Sequence, residues 1–194
     1  MNRCFKKFTF WITNLLFVIA LNQQASADIN VETAPDFHTY YEVVIDSPPE
    51  KVWPYLINMD RWILSHKVER FSGEPHTKGY VMKFTPNGYL ALPEKDRPAR
   101  ANHFGRAIRY VPNQNFMHTG YSYKEGSYGN FIFKDYVDFR LRPQNGKTLL
   151  VLNGMGVVGG GMSQEEVDKV SASSSAAMQK NLLNLKKVVE SAAR

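Results

Sequence analysis

Between Lys67 and Val158 the chain alternates short apolar runs with turn residues, and one long helical pattern follows them. This succession constrains the fold more than any other feature. The runs near Lys67–Ser72, Gly79–Thr85, His103–Val111, Asn115–Tyr123, Phe131–Arg142 and Lys147–Val158 are rich in β-branched and aromatic residues and read as strands. The breaks are Gly73-Glu74-Pro75, Pro112-Asn113-Gln114, Lys124-Glu125-Gly126 and Pro143-Gln144-Asn145-Gly146, each built from residues that suit turns. A further strand, His38–Asp46, precedes them. Ser47-Pro48-Pro49-Glu50 then reads as a helix start, with Ser47 as the cap and Val52, Trp53 and Leu56 at helical spacing to about Asn58. One more turn is expected over Asp60–Leu64.

After Gly159-Gly160-Gly161, Ser163 is placed to cap a long helix, with Glu165 and Glu166 where the helix dipole favours acids. Met178, Leu182, Leu185 and Val189 form its apolar stripe. Strands joined by short turns pair antiparallel. A sheet with one apolar face needs a cover, and only the last helix is long enough to be one. The fold class expected is α+β: a seven-stranded curved antiparallel sheet gripping a long C-terminal helix, with two short helices after the first strand.

The start of the chain is expected to stand apart from that fold. Arg3, Lys6 and Lys7 precede an apolar run from Phe8 to Leu21, and Ala25-Ser26-Ala27 follows a polar stretch. This is the layout of a secretory signal peptide cut after Ala27. The run of 14 residues falls short of the roughly 20 that span a bilayer. The organisation expected is therefore a signal peptide (1–27), a flexible arm (28–37) and one domain (38–194), exported to a periplasm or secreted. Cys4 is the sole cysteine and would leave with the leader, so no disulfide, thiol nucleophile or thiolate metal site is expected in the mature chain. The formal charge is +6, and three of its cations belong to the leader. The remaining charges are scattered, without the basic stripe that nucleic acid needs.

Val44-Ile45-Asp46-Ser47-Pro48-Pro49-Glu50-Lys51-Val52-Trp53 resembles the opening of the START-like, polyketide cyclase/dehydratase (SRPBCC) superfamily. There a strand, a small residue, proline and "E-x-V-W" lead into the first helix. Tyr136-Val137-Asp138-Phe139-Arg140-Leu141-Arg142-Pro143 and Gly146-Lys147-Thr148-Leu149 resemble its last hairpin. The resemblance runs from His38 to Val189. It implies a helix-grip fold with a deep cavity, whose members bind lipids, sterols, hormones or polyketides, a minority being enzymes. It supplies no shared catalytic motif, so function rests on the site.

Side chains alternate along a strand, so Phe131, Phe133, Asp135, Val137, Phe139 and Leu141 share the face toward the helix. A tight turn at Pro143–Gly146 sets Arg142 opposite Lys147, Asp135 opposite Gly154 and Phe133 opposite Gly156. The same exercise through Pro112–Gln114 sets Arg106 opposite Gly120 and Ile108 opposite His118. Gly120, Gly154 and Gly156 then fall on the inner face, leaving room for a ligand or for a bulky neighbour. The first half of the last helix, Val170 to Ala177, is built from small residues, whereas its second half carries the large ones.

The candidate ligand-binding set is Phe133, Asp135, Val137, Gly120, Gly154, Gly156, Ser174 and Met178. Arg106, His118 and Asp135 are the polar candidates, read either as a structural cluster or as an acid/base set. Pro86–Ala101 is the longest irregular stretch and suits a lid, its Tyr89–Leu92 being a candidate for transient membrane contact. No metal or cofactor motif is present: there is no His pair at i, i+4, no P-loop and no dinucleotide fingerprint. Three readings follow: an exported binder or carrier of an apolar small molecule or lipid, a cavity enzyme of cyclase, dehydratase or hydrolase type, and an envelope interaction protein with a filled core.

Overall fold

The computed structural model describes residues 37–97, 103–123, 131–158 and 163–192, with side chains over 38–97, 103–120, 135–157 and 163–192. The expected leader (1–27), arm (28–36) and triple glycine lie outside the described residues. The strands are β1 (Phe37–Ile45), β2 (His66–Ser72), β3 (Val81–Pro86), β4 (His103–Val111), β5 (Asn115–Tyr123), β6 (Phe131–Gln144) and β7 (Lys147–Val158). They form one antiparallel sheet in the order β1-β7-β6-β5-β4-β3-β2. Helix α1 (Pro49–Ile57) and a 3-10 turn (Met59–Arg61) follow β1, and α2 (Gln164–Ala192) closes the chain.

Local chemistry sets the element ends. Ser47 does not cap α1: the cap position is Pro48, in extended geometry and without a side-chain cap. Ser47 and Pro48 each precede a proline, which disfavours helical geometry at both, so the helix begins at Pro49. Ser163 does cap α2. Its hydroxyl and backbone N–H both bond Glu166 Oε2, at 2.9 and 2.8 Å, and the Glu166 N–H returns to Ser163 Oγ at 3.4 Å. That reciprocal pair is a capping box.

The core fills one half of the concavity. Leu182, Leu185 and Val189 of α2 meet Phe139, Leu150 and Leu152 of the sheet, all at most 2% exposed. Trp53 and Trp62 are core residues, Trp62 meeting Phe139 edge-on at 5.9 Å and donating its ring N–H to the Leu56 carbonyl. This half of α2 is tied on both flanks. On one side Glu190 accepts the Asp46 N–H at 2.8 Å. On the other, Asn181 accepts from the Leu64 N–H at 2.9 Å and Asn184 donates to the Trp62 carbonyl at 2.9 Å.

Two turns correct the expected register. The β6–β7 connection is the two-residue turn Asn145-Gly146, both at positive φ (50° and 78°), the geometry that matches strand twist in a tight hairpin. Strand β6 therefore runs on to Gln144, opposite Lys147, and Asp135 pairs with Gly156, Val137 with Gly154 and Phe133 with Val158. The shift is two residues, so every side chain keeps its face. In the β4–β5 hairpin a bulge between Ala107 and Arg109 inserts one residue. Gly105, not Arg106, pairs with Gly120, and Ala107, not Ile108, pairs with His118. That is a shift of one, which exchanges the faces of the N-terminal half of β4.

The stretch after β3 forms two 3-10 turns, Asn87–Tyr89 and Glu94–Asp96. Glu94 pairs with Lys83, which lies on the outer face of β3, opposite the buried Met82 and Phe84. Arg97 Nε donates to the Tyr89 and Leu92 carbonyls at 3.1 Å. The described part of the expected lid is thus pinned across the back of the sheet.

Candidate functional site

The other half of the concavity differs in composition and in closure. The inner positions here are His103 and Gly105 of β4, His118 and Gly120 of β5, Asp135 of β6, and Gly154 and Gly156 of β7. Above them runs the N-terminal half of α2. Its inner stripe is buried at Val167 and again at Leu182, Leu185 and Val189, yet Ser171, Ser174 and Met178 between them keep accessible surface. Here α2 is tied to β1: Thr39 Oγ1 and Ser175 Oγ are 2.9 Å apart, and the Tyr41 hydroxyl donates to the Ser175 carbonyl at 3.1 Å.

Gly120 is a notch for its neighbours. A Cβ at this position would lie 2.0 Å from Asp135 Oδ1 and 2.8 Å from His103 Nε2. The carboxyl of Asp135 and the imidazole of His103 therefore share the space that glycine leaves. Gly105 serves the same purpose one pair away, where a Cβ would lie 2.7 Å from the Phe84 ring and 3.2 Å from His118 Nδ1. Gly154 is different. A Cβ there would meet nothing closer than Thr39, at 3.7 Å, so close packing does not require glycine.

The electrostatics follow from this enclosure. Burial pushes the Asp135 carboxyl up to about 7, against the opposing hydrogen bond from the Gly120 N–H. Burial lowers His103 to about 3, with the His66 and His118 rings adding to the effect, and lowers His118 to about 4. His66 is also lowered by burial. The imidazoles are uncharged at neutral pH. His118 lies among Phe84, Phe116 and Phe139, with ring centroids 5.9, 5.7 and 6.2 Å away. Its Nδ1 faces the Thr119 carbonyl at 3.4 Å, while Nε2 is sealed and lacks a hydrogen-bond partner.

Asp135 keeps some accessible surface, but its Oδ1 is likewise sealed and unpartnered. Asp138, buried on the opposite face of the same strand, obeys the usual rule: Asn115 donates to Oδ1 and Arg140 Nε to Oδ2.

The sequence-predicted residues divide accordingly. Asp135, Val137, Gly120, Gly154 and Gly156 come together on the inner face, and His118 lies beside them. Ser174 and Met178 lie on the half-buried stripe of α2, Met178 packing against the core. The side chain of Phe133 lies outside those described. Arg106 is not in the site: the β4 bulge leaves it exposed on the outer face, opposite Thr119. His103 takes that inward role and was missed. Its signal was the alternation of His103, Gly105 and Ala107 with the larger Phe104 and Arg106, which the one-residue slip obscured.

Among the described residues no cluster of His, Cys, Asp and Glu is arranged to hold a metal ion. No described helix is long and apolar enough to cross a membrane. A separate open groove of about 510 Å³ lies between α1 and the end of α2, lined by Lys51, Tyr55, Arg61 and Val189 among others. It contains none of the sequence-predicted site residues.

No family model and no curated protein matches this sequence. Solved structures do resemble it. The Zhui aromatase/cyclase from Streptomyces sp. R1128 is 15% identical, with a TM-score of 0.58 over 81% of this chain and 95% of that one. A protein from Rhodobacter sphaeroides is 19% identical, with a TM-score of 0.54 over 82% of this chain and 95% of that one. Ara h 8.0201 is 15% identical, with a TM-score of 0.53 over 79% of this chain and 97% of that one. At these identities the likeness concerns the fold. The chain has the helix-grip fold, and its residues Val44 to Trp53 resemble the opening strand and helix of the START-like, polyketide cyclase/dehydratase superfamily.

Proposed function

We propose that this chain is an exported binder or carrier of an apolar small molecule, held beneath the N-terminal half of α2. One observation carries the reading. The inner stripe of α2 is buried at both ends and accessible in the middle, at Ser171, Ser174 and Met178, above inner strand positions that are glycine. A helix closing on a filled interior would bury that middle. Apolar pockets with few polar groups are the usual small-molecule sites. Incubating the purified chain with a lipid extract of its host and weighing it by native mass spectrometry tests this. A stoichiometric small-molecule adduct is expected, and a protein that stays free of adduct contradicts the reading.

Export rests on the leader pattern of residues 1–27. Amino-terminal sequencing of the protein recovered from outside the cytoplasm should begin at Asp28, and a chain retaining Met1 would count against it. Leu90 and Leu92 are 38% and 41% exposed, which suits transient contact of Tyr89–Leu92 with a membrane during delivery.

A cavity enzyme is the second reading, favoured by a carboxyl near neutrality that shares a notch with an uncharged imidazole. The Zhui structure is that of an aromatase/cyclase. If this reading holds, Asp135→Asn abolishes turnover of the bound compound; unchanged turnover removes it.

A further inference from the structure

The inner site has acceptors to spare and no cation. The described Lys and Arg side chains of the sheet lie on its outer face or at exposed positions: Lys83 is held by Glu94, Arg140 by Asp138, and Arg106 is exposed. Facing inward are Asp135, with Oδ1 unpartnered, His103, whose uncharged ring borders the same Gly120 notch, and His118, whose Nδ1 faces the Thr119 carbonyl and so leaves Nε2 as the bare, accepting nitrogen. The Gly120 notch seats the carboxyl there: with a Cβ at 120, the Asp135 carboxyl would have to shift. A buried carboxyl with a single backbone donor is costly to keep, and the same strand gives its outer-face acid, Asp138, two side-chain partners. A bound head group would supply what Asp135 lacks.

We infer that the site receives the hydrogen-bond-donating end of an apolar molecule, a hydroxyl or an amine, and disfavours carboxylates and phosphates. This rests on the binding reading above. A second anion beside Asp135 would be desolvated without a counter-charge, whereas a donor completes the acceptors already present.

The test uses the purified full chain at about pH 8, where Asp135 is largely ionised. Dodecan-1-ol, dodecylamine and dodecanoate compete against the uncharged fluorophore N-phenyl-1-naphthylamine. The alcohol and the amine are expected to displace it at concentrations at least about tenfold below dodecanoate. In Asp135→Asn the amine should weaken by about tenfold or more while the alcohol stays within about threefold, since the amide oxygen still accepts. Dodecanoate binding as tightly as the alcohol overturns the head-group assignment and leaves the binding reading standing. An amine indifferent to Asp135→Asn also overturns the assignment. Failure of the fluorophore and all three probes to bind overturns both. His118→Phe provides a second variant: it removes one acceptor within the aromatic cluster and should weaken the alcohol without improving dodecanoate, and improved dodecanoate binding would contradict the assignment.

Discussion

The two halves of the concavity use the same sheet and the same helix to opposite ends. Under the C-terminal half of α2, Leu182, Leu185 and Val189 meet Phe139, Leu150 and Leu152, and hydrogen bonds fasten both flanks. Under the N-terminal half, Ser171 and Ser174 keep accessible surface, several inner strand positions are glycine, and the inward polar groups are two neutral imidazoles and an acid whose Oδ1 is unpartnered. The contrast teaches that the fold's stability and its proposed work are separated along one helix. The filled half holds α2 in place, and the proposed binding requires the interior of the other half to be incomplete.

Substitutions should reveal that division. The largest effect is expected from Phe139→Ala, which opens a cavity at a fully buried position and should cost about 3–5 kcal/mol. In the open half, Ser174→Ala should stay within about 0.5 kcal/mol. Denaturant unfolding of both variants measures the difference, and comparable losses would erase the distinction between the halves.

The acid sharpens it further. The folded Asp135 has its pKa raised to about 7 from 3.8, so the native state holds a proton that the unfolded state has released. Between those values rising pH removes stability. His103 and His118, lowered to about 3 and about 4, act the other way: the unfolded state binds their protons, and stability rises with pH up to about 6.5. Asp135→Asn removes only the first effect. Relative to the wild type it should gain about 2 kcal/mol or more between pH 4 and pH 8. Equal pH profiles for the two proteins would mean that Asp135 is not held in an apolar setting.

Gly120→Ala should cost about 1–3 kcal/mol, because the new Cβ would lie 2.0 Å from Asp135 Oδ1. In an Asp135→Ala background the same change should cost much less, and a double-mutant cycle measures that coupling. Among the losses expected outside the core the smallest belongs to Asn145→Ala, about 1–2 kcal/mol against the near-neutral Ser174→Ala, since the turn holds this residue at φ 50°. A loss well above that would show that the hairpin turn does more than set register.

Much of this architecture was legible in the residues. Short alternating runs between turn residues gave strand positions within a few residues, because period-two patterning and turn chemistry act locally. Ser163 as a cap, the acids after it and the stripe ending at Val189 placed the last helix for the same reason. The errors came where one residue decides a face. Reading Pro143–Gly146 as the whole turn moved the β6–β7 register by two, which left Asp135 facing inward. The β4 bulge moved it by one, which sent Arg106 out and brought His103 in. A bulge depends on how three strands twist together, and a single run of alternating residues carries little trace of it. The back-folded path of the segment after β3 was equally hidden, since it rests on the distant pairing of Lys83 with Glu94.

Filling the space beneath α2 tests the central claim most directly. Ser174→Trp would place an indole under the open half while leaving Leu182, Leu185 and Val189 untouched. Isothermal titration with dodecan-1-ol should then show affinity reduced by about tenfold or more, with the melting temperature preserved or raised. Wild-type affinity in Ser174→Trp would contradict the account, because the molecule would have to bind somewhere else.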